Sequence, residues 1–273
     1  MKERLFDKNQ IRILAKKYNL DSPKDWGQHF LVDSGPVRKM ISSAKIKEND
    51  VVTEIGPGFG TLTFPLAENS EQVLAFEIEK RLEPYWEQNN KDNIEVIWGD
   101  GLVNFKNYQS RLPSKYKFVS NLPYQISAKV FREVLGAENK PSNMTVMIQK
   151  EVAEKICSKD DKNKLSVMVG LYGEPELVGY VSSGSFYPEP EVDSAILTIN
   201  NITTPDINEE AFFELLTAGF SHRRKQLKNN LASELDIKKD TAANILEDIT
   251  GNGKIRAQKL SVSQWVKLLH QFK

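Results

Sequence analysis

Two short segments hold residues that could do chemistry. The first is Glu54-Ile55-Gly56-Pro57-Gly58-Phe59-Gly60, entered from the β-rich run Val51–Ile55. Glycines at alternate positions let the backbone take dihedrals closed to other residues, and let a ligand approach it closely. Glu77 stands 21 residues after Gly56, at the end of the next β-like run. An acid in that place accepts hydrogen bonds from ribose hydroxyls in nucleotide-binding α/β folds. Asp100, in Gly99-Asp100-Gly101, follows the run after that. A lone Gly-x-Gly-x-Gly is equally a tight strand–helix turn. An acid after each of the next two strands moves the reading to a nucleotide-like ligand.

The second segment is Asn121-Leu122-Pro123-Tyr124. These residue types suit work on an exocyclic amino group. The N6 nitrogen of adenine is a poor nucleophile because its lone pair is delocalised into the ring. An Asn amide oxygen and a backbone carbonyl that accept its two hydrogens localise that pair. Pro123 has no N–H and stiffens the turn, so carbonyls are left to point inward. Tyr124 offers a flat face for a base, and such a base has to leave its stack to arrive. A second aromatic loop, Phe186-Tyr187-Pro188-Glu189-Pro190-Glu191-Val192, either supplies a stacking partner in Phe186 or only stiffens a connection between strands.

Other chemistries find no support. His29, His222, His270 and Cys157 are too scattered for a zinc-site spacing, so no metal is expected. There is no Gly-x-Ser-x-Gly elbow and no Walker loop.

The elements that must position these segments follow from periodicity. Ile11, Leu14, Ala15 and Tyr18 fall at helical spacing, as do Val37, Met40, Ile41 and Ala44. The runs Val51–Ile55, Val73–Phe76, Ile94–Trp98, Phe118–Ser120 and Met144–Ile148 then alternate with helical stretches such as Leu82–Asn89 and Ser127–Leu135. Apolar strands spaced by helices predict a mostly parallel sheet covered on both faces. Glu176–Ser182 and Ala195–Asn200 are joined by a loop too short for a crossover helix, which predicts an antiparallel edge hairpin. After a linker near Asn201, helices are expected over Ala211–Phe220, Arg224–Leu235, Thr241–Ile249 and Val262–Phe272, the last with a capping box from Ser261 and Gln264. The expected organisation is an α/β domain over residues 1–200 and a small all-α domain over 201–273.

The chain has 273 residues, with 37 Lys plus Arg against 37 Asp plus Glu, so its net charge is zero. That balance argues against binding nucleic acid by bulk electrostatics, yet it is a sum of unlike regions. Residues 68–100 hold nine acids and three bases, whereas residues 115–164 hold ten bases and six acids. His222-Arg223-Arg224-Lys225 with Lys228 contains no acid. On a helix starting near Ser221, Arg224 and Lys228 would share a face, as phosphate contacts require. Such segments can also be solvated helix faces. No run of about 18 apolar residues predicts a membrane span. The N-terminus has no signal-peptide block, and a single cysteine suits a reducing compartment. The expected location is cytoplasmic.

Glu54–Gly60 resembles the first motif of class I methyltransferases, Rossmann-like enzymes that bind S-adenosylmethionine. With Gly27-Gln28-His29-Phe30-Leu31, Phe76-Glu77-Ile78-Glu79, Gly99-Asp100-Gly101-Leu102, Asn121–Tyr124, Gln149–Ala153, Phe186–Ser194 and Phe220–Leu231 in order, the chain resembles the ribosomal RNA adenine dimethyltransferases, and among them the small-subunit, kasugamycin-sensitivity type. The resemblance implies that His29, Leu31, Gly56, Glu77, Asp100 and Asn121 contact S-adenosylmethionine. It implies that Asn121 and the Leu122 carbonyl hold the target amino group between Tyr124 and Phe186. Arg223, Arg224, Lys225 and Lys228 would contact RNA. The implied reaction is N6,N6-dimethylation of two adjacent adenosines in a hairpin loop of small-subunit rRNA, in the assembling subunit, by a monomer. Rival readings are a large-subunit rRNA dimethylase of the macrolide-resistance type, a non-catalytic assembly factor on the same fold, and methylation of DNA or a protein amide. One position departs from the pattern: the place of His29 is often Asn in this family.

Overall fold

The computed structural model describes residues 5–20 and 29–272, so Trp26, Gly27 and Gln28 lie outside the described residues. The chain divides into two compact units, residues 1–153 with 175–202, and residues 154–174 with 203–273.

In the first unit, α1 (Lys8–Lys17) begins where Asp7 accepts from the Asn9 N–H, and it buries Ile11 and Ala15. The two-residue strand β1 (Phe30–Leu31) leads into α2 (Ser34–Ala44), capped by Asp33. Then follow β2 (Val51–Ile55), α3 (Thr63–Asn69), β3 (Gln72–Glu77), α4 (Glu83–Asn89), β4 (Ile94–Trp98), α5 (Gly101–Tyr108), β5 (Tyr116–Asn121), α6 (Ser127–Leu135), β6 (Asn143–Gln149) and α7 (Lys150–Cys157), which runs into the second unit. Pro65 sits at the third position of α3, in the first turn, where its missing N–H costs nothing. After α8 (Lys164–Tyr172), the chain returns with β7 (Glu174–Val181), β8 (Phe186–Tyr187) and β9 (Ser194–Asn200).

The large sheet has the order β4-β3-β2-β5-β6-β9-β7. The pairs β3–β4, β2–β3, β2–β5 and β5–β6 are parallel, and β9 runs antiparallel to β6. This is the mostly parallel sheet expected of a class I methyltransferase, with β9 and β7 adjacent at the far edge. Strand order reverses between β2 and β5, and α/β sheets bind ligands in the crevice at such a switch point. Register shows how the crevice opens. Pairing of β2 with β5 runs from Val51↔Tyr116 to Thr53↔Phe118. Beyond it the Ile55 carbonyl is satisfied by the buried Ser120 hydroxyl, at 2.6 Å.

Phe186–Tyr187, read from sequence as part of a loop, is a strand. It pairs antiparallel with β1, Phe30 opposite Tyr187 and Leu31 opposite Phe186. Two residues per strand leave no periodicity to read.

The second unit contains α8, α9 (Glu209–Gly219), α10 (Leu227–Glu234), α11 (Lys239–Thr250) and α12 (Val262–Leu269). Its core gathers Val167, Phe212, Leu216, Leu231, Leu246 and Trp265, all fully buried. Val167 lies on α8, so residues 154–174 group with the helical unit and not with the α/β domain expected over residues 1–200. The capping box of Ser261 and Gln264 on α12 is present.

Helix α10 starts at Leu227, not near Ser221 as expected. Residues 221–226 form turns, with the Lys225 N–H donating to the His222 carbonyl at 3.0 Å. Buried Asn230 fixes them by donating to the carbonyls of Gly219 (2.7 Å) and His222 (3.2 Å). Tertiary hydrogen bonds therefore override local helix propensity. Arg224 precedes the helix, so it does not share a helical face with Lys228.

Gly219 closes α9 against Trp265. A Cβ added there would lie 2.4 Å from Trp265 Cη2 and 3.1 Å from Leu227 Cδ1. Overpacking costs about 1–3 kcal/mol, more when the neighbour is rigid, and outweighs the about 1 kcal/mol that Ala gains over Gly in a helix. Gly219→Ala is predicted to lower the urea midpoint of the helical unit with an unchanged m-value.

Candidate active site

The segments singled out in the sequence meet at the switch point. His29, Leu31, Gly56, Glu77, Asp100, Asn121, Leu122, Tyr124 and Phe186 all line one cavity of about 250 Å³ within the first unit. Glu54, Ile78 and Lys129 line it as well. In the sequence Glu54 stands out only as the start of the glycine motif, and Lys129 only as one base of a basic segment.

The glycine turn is held from outside. Tyr85 Oη donates to the Phe59 carbonyl at 2.8 Å, and Trp86 Nε1 donates to the Gly58 carbonyl at 3.0 Å. Both come from α4, so the turn is braced on the side away from the cavity by fully committed aromatic side chains. Gly56 has φ +75°, and a Cβ there would meet only Pro123 Cδ, at 4.0 Å. Positive φ demands glycine, and the open space beside it lets a ligand reach the backbone.

The acids are placed by backbone donors. Glu77 Oε2 accepts from the Gly58 N–H at 3.0 Å and Oε1 from the Glu79 N–H at 2.8 Å, which orients the carboxylate at the end of β3. Asp100 caps α5, its Oδ1 accepting from the N–H groups of Leu102 (2.9 Å) and Val103 (3.1 Å). Its Oδ2 takes part in neither bond.

At the other wall, Asn121 Nδ2 donates to the His29 carbonyl at 3.4 Å. That turns the amide so that its oxygen remains for an incoming donor. The Leu122 N–H donates to the Met147 carbonyl at 3.1 Å, which anchors the turn to β6. The Tyr124 hydroxyl shares a 2.8 Å hydrogen bond with Ser194 Oγ on β9. Its half-buried ring stacks loosely against His29, with centroids 5.8 Å apart and planes at 28°. Phe186 is 1% exposed, its backbone paired to Leu31. The Ser185 carbonyl accepts from the Val32 N–H at 2.8 Å, so the strand pair ties the 29–33 segment to the 185–188 segment along the cavity.

The RNA-facing candidates lie elsewhere, in the second unit. Arg223, Arg224 and Lys225 are exposed in the 221–226 turns, and Lys228 is half-buried on α10. The acid-free appearance of this cluster does not survive folding: Asp161 sits 3.3 Å from Arg223 and also pairs with Lys155. Among the described residues no helix is long and apolar enough to cross a membrane.

Glu54 sets the electrostatics of the cavity. It is 1% exposed, and its Oε2 and the neighbouring Thr63 Oγ1 make no hydrogen bond of ordinary geometry. Burial pushes its carboxyl from 4.5 up to about 8, with the Thr63 hydroxyl opposing the rise and the Glu77 charge adding to it. Burial likewise raises Glu77 to about 7, against the backbone N–H groups of Glu79, Gly58 and Ile78 that favour its charge. A carboxyl with a higher pKa folded than unfolded keeps a proton that the unfolded chain has lost, so stability falls as pH rises from about 4.5 through about 8. Glu54→Gln removes one such group. It is predicted to raise the melting temperature by a few degrees at pH 8.5 and by much less at pH 5, measured by thermal unfolding at both pH values.

The family described as ribosomal RNA adenine dimethylase matches residues 20–273. A protein named ribosomal RNA small subunit methyltransferase A from Dehalococcoides mccartyi is 38% identical over 269 residues, covering 96% of this chain and 92% of the relative. One of the same name from Lachnoclostridium phytofermentans is 35% identical, covering 97% and 96%. Among solved structures, a dimethyladenosine transferase from Plasmodium falciparum aligns with TM-score 0.72 at 25% identity, over 89% of this chain and 96% of that one. The 23S rRNA methyltransferase ErmE aligns with TM-score 0.69 at 26% identity, over 88% and 98%. The chain belongs to the ribosomal RNA adenine dimethylase family, enzymes whose methyl donor is S-adenosylmethionine.

Proposed function

We propose that this protein dimethylates N6 of two adjacent adenosines in a hairpin loop of small-subunit rRNA, acting in the cytoplasm as a monomer on the assembling subunit. The observation that carries the reading is the cavity at the switch point, where the acids Glu54, Glu77 and Asp100 face the Asn121–Tyr124 turn. The curated relatives at 33–38% identity carry the small-subunit name, which favours that substrate over large-subunit rRNA.

The residues present fit S-adenosylmethionine. Glu54 leaves a buried oxygen without a partner, and the space beside Gly56 is open. Glu77 is oriented to accept from ribose hydroxyls, Asp100 keeps Oδ2 for an adenine amino group, and His29, Leu31 and Asn121 complete the wall. S-adenosylmethionine supplies a methyl group on positively charged sulfur, already a good electrophile. The protein has to position an amine and raise its nucleophilicity. Asn121 Oδ1 and the Leu122 carbonyl accept the two N6 hydrogens and draw the lone pair out of conjugation. Tyr124, pinned through its hydroxyl to Ser194, and Phe186 hold the base from its faces. Arg223, Arg224, Lys225 and Lys228 bind phosphates.

Three outcomes are predicted. Asn121→Ala lowers methyl transfer by about 100-fold or more at donor concentrations that calorimetry shows to saturate the variant; retained turnover removes Asn121 from the reaction. Arg223→Ala with Arg224→Ala weakens RNA binding and lowers the slope of log K against log salt by about one to two. Isolated small subunits, supplied with methyl-labelled donor, become labelled in their rRNA; labelling confined to protein-free large-subunit rRNA selects the other rRNA substrate. Absence of any cofactor binding selects a non-catalytic factor.

A further inference from the structure

Lys129 is the one lysine or arginine among the described residues that line the cavity, where it faces the carboxyls of Glu54, Glu77 and Asp100. Sheet order keeps the two signs of charge apart. Glu54 stands near the end of β2, Glu77 ends β3 and Asp100 follows β4, all on one side of the switch point. Lys129 follows β5, on the other side, on α6 just beyond the Asn121–Tyr124 turn.

That place is unfavourable for folding. Helix α6 starts at Ser127, so Lys129 lies in its first turn, where the macrodipole disfavours a cation. Val130, Phe131 and Val134 anchor the helix and are fully buried, whereas Lys129 is exposed. Among the described residues it makes no hydrogen bond or ion pair, not even with Glu133 one turn further on. The ammonium therefore neither caps the helix nor neutralises a neighbour.

A cavity that takes an adenosine of RNA has to accommodate phosphate as well as base. The base goes to the Asn121–Tyr124 turn, and its ribose and phosphates trail toward the mouth. Three carboxyls suit a cationic donor but repel phosphate, and a cation on the nucleotide's side of the switch point offsets that repulsion. We propose that Lys129 is a substrate-positioning residue whose ammonium binds a phosphate oxygen of the target nucleotide and holds the base in register with the Asn121 turn. Gln125, exposed on the same wall, adds a neutral donor. This assignment rests on the function proposed above. The donor's own carboxylate is the other oxyanion that enters the cavity; the position of Lys129 across the switch point from the acids favours phosphate, and the test separates the two.

Lys129→Met removes the charge and keeps the length, while Lys129→Arg keeps the charge. Steady-state methylation of isolated small subunits is measured at saturating donor for wild type and both variants, at salt from 50 to 200 mM. Lys129→Met is expected to raise KM for the subunit about tenfold with kcat within about twofold. It is expected to flatten the slope of log(kcat/KM) against log salt by about one. Lys129→Arg is expected to restore both. Calorimetry is expected to give the same donor affinity for all three proteins. The melting temperature of Lys129→Met is expected to be unchanged or slightly raised, because a first-turn cation is lost; a structural role for the side chain predicts a fall.

An unchanged KM and salt slope leave Lys129 a solvated side chain and overturn the assignment. A loss confined to donor affinity overturns it too, giving the lysine to the donor carboxylate, as does a rise in KM that Lys129→Arg leaves in place. If the wild-type protein methylates no small-subunit rRNA, the function reading fails and this inference with it, a result told apart from the others because it appears before any variant is made.

Discussion

The parting of β2 from β5 beyond Thr53 and Phe118 is the constraint on which the site depends. Parallel neighbours in a sheet consume one another's backbone groups, and a crevice opens only where that pairing stops. Here the Ser120 hydroxyl takes the Ile55 carbonyl, so the strands separate without leaving a buried acceptor unpaired. The glycine turn leaves from one side of the opening and the Asn121 turn from the other. Their positions relative to each other are therefore set by the sheet, with loops only as the final step. Tyr85 and Trp86 then hold the glycine turn, and Met147 and Ser194 hold the Asn121 turn.

The cavity concentrates cost. Glu54 and Glu77 are nearly inaccessible and repel each other when both are charged. A core selected for stability alone would place apolar side chains there. Glu77 is partly compensated by backbone N–H groups, whereas burial of Glu54 outweighs the nearby Thr63 hydroxyl and leaves Oε2 without a hydrogen bond of ordinary geometry. Uncompensated buried carboxyls make physical sense where a ligand carrying positive charge and donor groups is to be bound, which is what S-adenosylmethionine offers.

The strands and both chemical segments were legible because apolar runs, glycine spacing and the acids after successive strands are local patterns. The cavity could be anticipated for the same reason: strand ends at a switch point converge whatever the intervening helices do. What remained hidden depends on partners distant in sequence. Phe30 and Phe186 belong to strands of two residues each, too short to show a period, yet their pairing brings His29 Nδ1 to 2.8 Å from the Pro188 carbonyl. The 221–226 turns look helical in composition, and buried Asn230 decides otherwise. Asp161 enters the basic cluster only through folding, and Val167 carries residues 154–174 into the helical core. Zero net charge was the least informative quantity, since it sums an acidic cofactor region with basic segments elsewhere.

One cavity is to present a methyl donor to the Asn121 turn. A crystal structure of the protein with S-adenosylhomocysteine is the decisive measurement. Ribose hydroxyls are expected on the Glu77 carboxylate, the adenine amino group at Asp100, and sulfur directed toward Asn121 and Tyr124. A ligand bound outside the switch-point cavity, or inside it with its sulfur turned away from Asn121, would rule this arrangement out.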